Sequence, residues 1–291
     1  MVPNPSARTG RLGRAVRLAL AAGLLSVTLA GCSSEEVLRF GWPEGITPQA
    51  EAMRDLWTWS VIAALVVGVL VWGLMFWVIV RYRKKGDELP VQTRFNLPLE
   101  VLYTVAPVLI VCVLFYYTAV VQTYVDKKTE NPDVTISVIG FKWNWQFAYP
   151  DSVAADGRAV QTTGTSEEIP ILVLPTGKRI RFVETSNDVI HSFWVPEMLF
   201  KRDVIPGRTN SFEVSSIDKT GAYVGRCAEL CGTYHSNMNF EVRAVSPENF
   251  DKYIEARKTG ATVAAALQSI GEEPLATTTK PFDTKREAAK R

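Results

Sequence analysis

The sequence predicts a helical hairpin that crosses a membrane twice, followed by an all-β sandwich or Greek-key barrel. Three observations carry this expectation. Residues 56–80 and 101–125 each run 25 positions without a charge, where a helix needs about 20 to cross the hydrocarbon core. From Val134 onward the pattern changes to short alternating segments punctuated by turns. The 47% hydrophobic content is unevenly spread: three long apolar runs fall within the first 125 residues, and the remainder reads as a water-soluble domain. A net charge of +2 over 291 residues gives no sign of a nucleic-acid partner.

The first apolar run is an export signal. Arg8, Arg11, Arg14 and Arg17 precede the stretch 18–30, which is too short to span and ends in small residues. Its end, Leu29-Ala30-Gly31-Cys32, resembles a bacterial lipobox. That resemblance implies cleavage after residue 31 and lipidation of Cys32, whose acyl chains would hold the mature N-terminus at the outer membrane face. Residues 32–55 are then an exported segment leading into the hairpin of 56–125. Trp57, Trp59, Trp77, Tyr116, Tyr117 and Tyr124 lie near the span ends, as interfacial aromatics do. In and beside the loop 81–95, Arg81, Arg83, Lys84, Lys85 and Arg94 outweigh Asp87 and Glu88, which makes the loop cytoplasmic and places residues from Asp126 onward outside. Pro107 is tolerable within a membrane helix.

The exported domain is expected over 126–258. Strands are predicted at 134–139, 169–174, 178–184, 210–214, 222–226 and 239–245, with turns at 175–177 and 206–207. Residues 151–168 are polar and read as a long surface loop, while the indoles of Trp143 and Trp145 read as one face of a strand. Ser246, Pro247 and Glu248 supply an N-cap, a first-turn proline and an acidic first turn for a helix to about residue 258. Residues 259–291, rich in Ala, Thr and Lys, read as a mobile tail that includes a helical turn or more.

Chemistry concentrates in Cys227-Ala-Glu-Leu-Cys-Gly-Thr-Tyr-His-Ser-Asn-Met238. A C-x-x-x-C pair in an oxidising compartment would ordinarily form a disulfide. The neighbours favour a metal: His235 and Met238 follow Cys231 closely, and the other of the chain's two histidines, His191, falls on or near a facing strand. Thiolate, imidazole and thioether together suit copper, whereas structural zinc sites rarely recruit methionine. A single blue copper would leave one thiolate over. Two coppers bridged by both thiolates use all five side chains, give each metal one histidine, and suit electron transfer with little reorganisation.

With these residues in place, the sequence resembles subunit II of the haem-copper cytochrome c oxidases over essentially all of residues 50–258. The resemblance implies a cupredoxin-like fold and a dinuclear copper A centre. His191, Cys227, Cys231, His235 and Met238 would ligate through side chains, and Glu229 through its backbone carbonyl. The Glu229 carboxylate would also bind a magnesium or manganese ion shared with the catalytic subunit. Trp143 aligns with the aromatic that receives electrons, in a motif usually Trp-Tyr-Trp, with Asn144 departing at the middle position. Glu100 matches the mouth of a proton-uptake pathway. Asp188 matches an acid near the donor-docking surface, but Asn187, Lys201 and Arg202 weaken the case for a basic soluble donor and favour a membrane-tethered c-type cytochrome or a partner complex. Asp203 and Pro206-Gly-Arg208 match a supporting segment near the metal interface.

The function expected is that of an oxidase subunit in a bacterial cell membrane. It would take electrons from a c-type cytochrome on the outer face and pass them to haem in catalytic subunit I, where oxygen is reduced to water and protons are pumped. Other oxidase subunits and the lipid bilayer complete the expected partners; nucleic acid is not among them. The chain alone would be an electron-transfer module, with no C-x-x-C-H motif for a fused cytochrome c. The alternative is an exported, membrane-anchored copper-binding or copper-delivery protein.

Overall fold

A computed structural model describes residues 39–89 and 91–281. The expected signal at 1–31 and the lipidation of Cys32 lie outside the described residues. The chain divides into a unit ending at Pro43, of which a turn at 39–41 is described, and a unit from Glu44 onward.

Helix α1, Pro48–Arg81, starts eight residues before the charge-free run. Thr47 caps it by accepting a hydrogen bond from Ala50 N at 3.1 Å, and Pro48 fixes the first turn. Helix α2, Leu97–Val125, opens on a reciprocal cap: Asn96 Oδ1 accepts from Leu99 N at 3.3 Å, and Glu100 Oε1 accepts from Asn96 N at 3.0 Å. The most apolar stretches of both helices have no buried residues, so their side chains face outward as those of lipid-exposed spans do.

Ten strands follow: β1 Val134–Phe141, β2 Asn144–Val153, β3 Ala159–Thr163, β4 Ile171–Pro175, β5 Ile180–Ser186, β6 His191–Val195, β7 Phe200–Val204, β8 Asn210–Val214, β9 Gly221–Cys227 and β10 Asn239–Val245. They form two five-stranded sheets, in the orders β3-β2-β1-β5-β8 and β4-β10-β9-β6-β7. Most neighbours are antiparallel, but β1 runs parallel to β5 and β10 parallel to β4. The result is a sandwich of cupredoxin type. Its core is aromatic: Phe193 stacks on Phe240 at 4.7 Å between centroids, Phe182 stacks on Phe212 at 4.6 Å, and Trp145 packs edge-on to Phe240 at 5.5 Å.

Three expectations need correction. Residues 151–168 are not one loop, because β2 continues to Val153 and β3 returns beside it; alternating Ala159 to Thr163 buries Val160 and Thr162. Trp143 and Trp145 do not share a strand face, since Trp143 lies in the turn between β1 and β2 and only Trp145 is wholly buried. The segment after residue 258 is not loose over its described length. Helix α3, Pro247–Lys258, is followed by α4, Val263–Ser269, which buries Ala266 and Leu267. Beyond α4, Glu241 Oε2 accepts hydrogen bonds from the backbone and hydroxyls of Thr277 and Thr278, while Arg243 pairs with Glu241 and Glu272.

Both helices are fastened to the sandwich. Ile46 N donates to Glu197 O at 3.0 Å, Asp218 N donates to Ile46 O at 2.9 Å, and Gln49 Nε2 donates to Ser215 Oγ at 2.7 Å. At the end of α2, Asp126 pairs with Arg202 of β7 at 2.8 Å.

Candidate metal centre

The loop from Cys227 to Met238 joins two neighbouring antiparallel strands, so its ends must meet. Cys227 closes β9, Asn239 opens β10, and Cys227 N donates to Met238 O at 3.0 Å. A single 3-10 turn, His235–Asn237, brings the imidazole back over the loop. Strand β6 lies on the other side of β9, with Phe193 opposite Cys227. His191, two residues from Phe193 on the same face, therefore points inward beside Cys227. Sheet pairing thus gathers the donors that sequence separation hides.

The five side chains do converge. Cys227 Sγ lies 3.9 Å from Cys231 Sγ and 3.9 Å from His191 Nδ1. Cys231 Sγ lies 3.6 Å from His235 Nδ1 and 3.7 Å from Met238 Sδ. The Glu229 carbonyl oxygen is 3.2 Å from Cys227 Sγ. Ligand atoms of His191, Cys227 and Cys231 all fall within 4.8 Å of one another, and the three residues are buried. Both loop cysteines are free thiols, which removes the disulfide alternative from this structure.

Surrounding groups orient the donors. Asp188 Oδ1 lies 2.8 Å from His191 Nε2. Burial alone would raise the Asp188 pKa, but the N–H of Lys142, the His191 ring and the N–H of Val189 hold it below its ordinary value. An ionised Asp188 selects the tautomer with a proton on Nε2 and leaves the Nδ1 lone pair facing the thiols. His191 rests on Gly140, where a Cβ would come within 2.9 Å of its ring. Burial, then the neighbouring Cys227, pushes the Cys231 thiol up to about 12. Only a cation's charge would hold such a thiol as thiolate at neutral pH, so binding must displace protons. This donor set of two sulfurs, two imidazoles, a thioether and a carbonyl fits copper.

The remaining sequence candidates fall in different places. Trp143 borders the centre: its indole N–H donates to Cys231 O at 3.1 Å, and its ring meets Tyr234 edge-on at 4.9 Å. Glu229 is exposed, beside Leu230, which is 78% exposed. Glu100 caps the far end of α2, about 37 Å from the end that meets the sandwich at 1.5 Å rise per residue. Sequence reasoning missed Gly140 and Tyr234. It also missed Glu184, although the alternation Ile180, Phe182, Glu184 already put that carboxylate on the inward face.

Comparisons with known proteins find relatives along most of the chain. The family model for the cytochrome c oxidase subunit II transmembrane domain matches residues 36–121, and that for the periplasmic domain matches residues 134–245. A probable cytochrome c oxidase subunit 2 from Nocardia farcinica is 48% identical, across 96% of this chain and 90% of its own. The subunit 2 of Mycobacterium bovis is 47% identical, across 97% and 93% respectively. Among solved structures, the periplasmic domain of cytochrome oxidase subunit II from Bradyrhizobium japonicum is 33% identical, covering 45% of this chain and 97% of its own with a TM-score of 0.39.

Proposed function

This chain belongs to the cytochrome c oxidase subunit II family, and from that premise we propose how its residues carry electrons into the oxidase. It is a membrane protein, a subunit of the oxidase that works beside the catalytic subunit, with a copper A site in its sandwich. In our reading the centre holds two copper ions, which when bound relay single electrons from a c-type cytochrome to haem of the catalytic subunit. His191, Cys227, Cys231, His235 and Met238 hold the ions with their side chains, and Glu229 with its carbonyl. The observation that carries this is the convergence of both thiols on both imidazoles and the thioether at 3.6–3.9 Å.

Each neighbouring residue has a task. Asp188 keeps the His191 Nδ1 lone pair available, and Gly140 makes room for the ring. Trp143 receives the electron at the protein surface, its N–H bonded to the carbonyl of a ligand residue. The Glu229 carboxylate, free to face a partner, binds a magnesium or manganese ion shared with the catalytic subunit. Lys and Arg around the 81–95 loop put that loop in the cytoplasm and the sandwich on the outer face. Glu100 stands at a proton-uptake mouth, and Cys32 carries the lipid. The donor is a c-type cytochrome that is membrane-tethered or held in a partner complex. By chain segment, we assign 1–31 to the signal, 32–55 to the exported lead and 56–125 to the hairpin. The sandwich proper occupies 126–258, with 259–281 serving as its cover.

The test is to load the full-length chain with copper in detergent, count the metal and record its EPR spectrum. Two coppers per chain and hyperfine structure from two equivalent nuclei are expected. A single-copper pattern would refute the dinuclear reading.

A further inference from the structure

One buried acid has no place in the electron path described so far. Glu184, on β5, is wholly buried, and among the described residues neither of its carboxylate oxygens has a hydrogen-bond partner. Its position is defined by register. Gly140, against which the His191 ring rests, pairs with Ser186; Val138 and Glu184 pair one rung further along the same inward face. Two residues of strand separate the rungs, about 7 Å. We propose that Glu184 is a redox-linked protonation site, taking up one proton when the neighbouring copper centre takes up one electron and releasing it when the electron leaves.

The surroundings are those such a site needs. Beside Glu184, β1 presents Val138 and β8 presents Asn210. The charged groups on β7 whose fields reach it are those of Arg202 and Asp203. Arg202 is already committed to Asp126 at the end of α2, and its Nε, also buried, makes no bond to Glu184. On β6, the His191 ring lies against Gly140, one rung away, and is turned to Asp188. Burial pushes the Glu184 carboxyl up to about 9, with Arg202 drawing it down and Asp203 pushing it up. Its proton is therefore exchanged in the mildly alkaline range, where a change of charge at the centre moves the equilibrium between the ionised and the neutral acid. An ionised Glu184 disfavours an arriving electron, and an electron in place favours the O–H bond. On reduction, the donor supplies the electron and solvent supplies the proton that joins a Glu184 oxygen; on reoxidation both depart.

The proposal rests on the dicopper reading, and its test separates the two. The copper-loaded full-length chain is titrated potentiometrically between about pH 6 and 10. The expected midpoint falls as pH rises, by up to about 59 mV per pH unit, the equivalent of one tenfold change in a one-electron equilibrium. E184Q should keep both coppers and give a flat profile over the range where the wild type slopes. In reduced-minus-oxidised infrared spectra recorded near pH 9, where the carboxyl exchanges its proton, the wild type should gain a protonated-carboxyl band that E184Q lacks. A flat wild-type profile, or no such band, overturns the proposal without recourse to the variant; so does an unchanged slope in E184Q. Failure to bind two coppers overturns the reading and the proposal together, whereas a normal two-copper EPR spectrum with a flat potential overturns the proposal alone.

Discussion

At the scale of single residues, the proposed centre would divide its donors by strength of hold. Cys227 and Cys231 sit between the other donors, while Met238 reaches only Cys231, at 3.7 Å, from a fully packed position. Replacing Met238 by Leu should leave two coppers bound, move the reduction potential and slow electron transfer; metal analysis with potentiometry checks this, and loss of all metal would count against a weak thioether ligand. Asp188 acts through His191. D188N leaves a neutral partner for the imidazole and should lower copper affinity by about 10–100-fold, read by competition with a chelator. The convergence of these side chains was partly legible in the sequence, because His191, Cys227, Cys231, His235 and Met238 stood out by type and spacing. Gly140 was not legible: its role depends on the ring of a residue on the facing sheet, and a lone glycine in a strand carries no mark of that.

At the scale of elements, the strands with strong alternation or turn punctuation were readable, and those hidden inside polar stretches were not. Strand β3 reads Ala-Val-Gln-Thr-Thr and owes its form to pairing with β2, which no local propensity announces. The segment 272–278 is the clearest case. Its Thr and Glu residues look solvated, yet Glu241 and Arg243, facing outward from β10, are buried because that segment covers them. Glu241 has its pKa lowered: burial would raise it, but Arg243 and the donors of Thr277 and Thr278 prevail. A carboxylate depressed in the folded state stabilises above its unfolded pKa, and that stability is lost as pH falls through the folded value. Wild-type stability should therefore decline on acidification below the ordinary carboxylate range. E241A should lose that part of the pH dependence, destabilise the domain by about 3 kcal/mol, the low end for a broken buried pair because Glu272 still meets Arg243, and expose residues 272–278 to limited proteolysis.

At the scale of the whole molecule, the helices and the sandwich meet at two separate attachments, one from residues 46–49 to the 197 and 215–218 segments and one from Asp126 to Arg202. Two attachments resist rotation where a single tether would swivel, so the copper site stands in a fixed attitude over the hairpin. The orientation of that hairpin can be tested directly: a cysteine at Gly86, as G86C, should react with a membrane-impermeant thiol reagent only from the cytoplasmic side. Labelling from the outer side would invert the topology.

The strand β6 that supplies His191 also sets an order of events. The other four side chains proposed as ligands lie within twelve residues and can meet early, but His191 arrives only once β6 has zipped to β9. Such non-local pairing forms late in folding. The chain cannot close its grip on copper while the sheets are still assembling, so metallation becomes a final inspection that an incomplete sandwich fails.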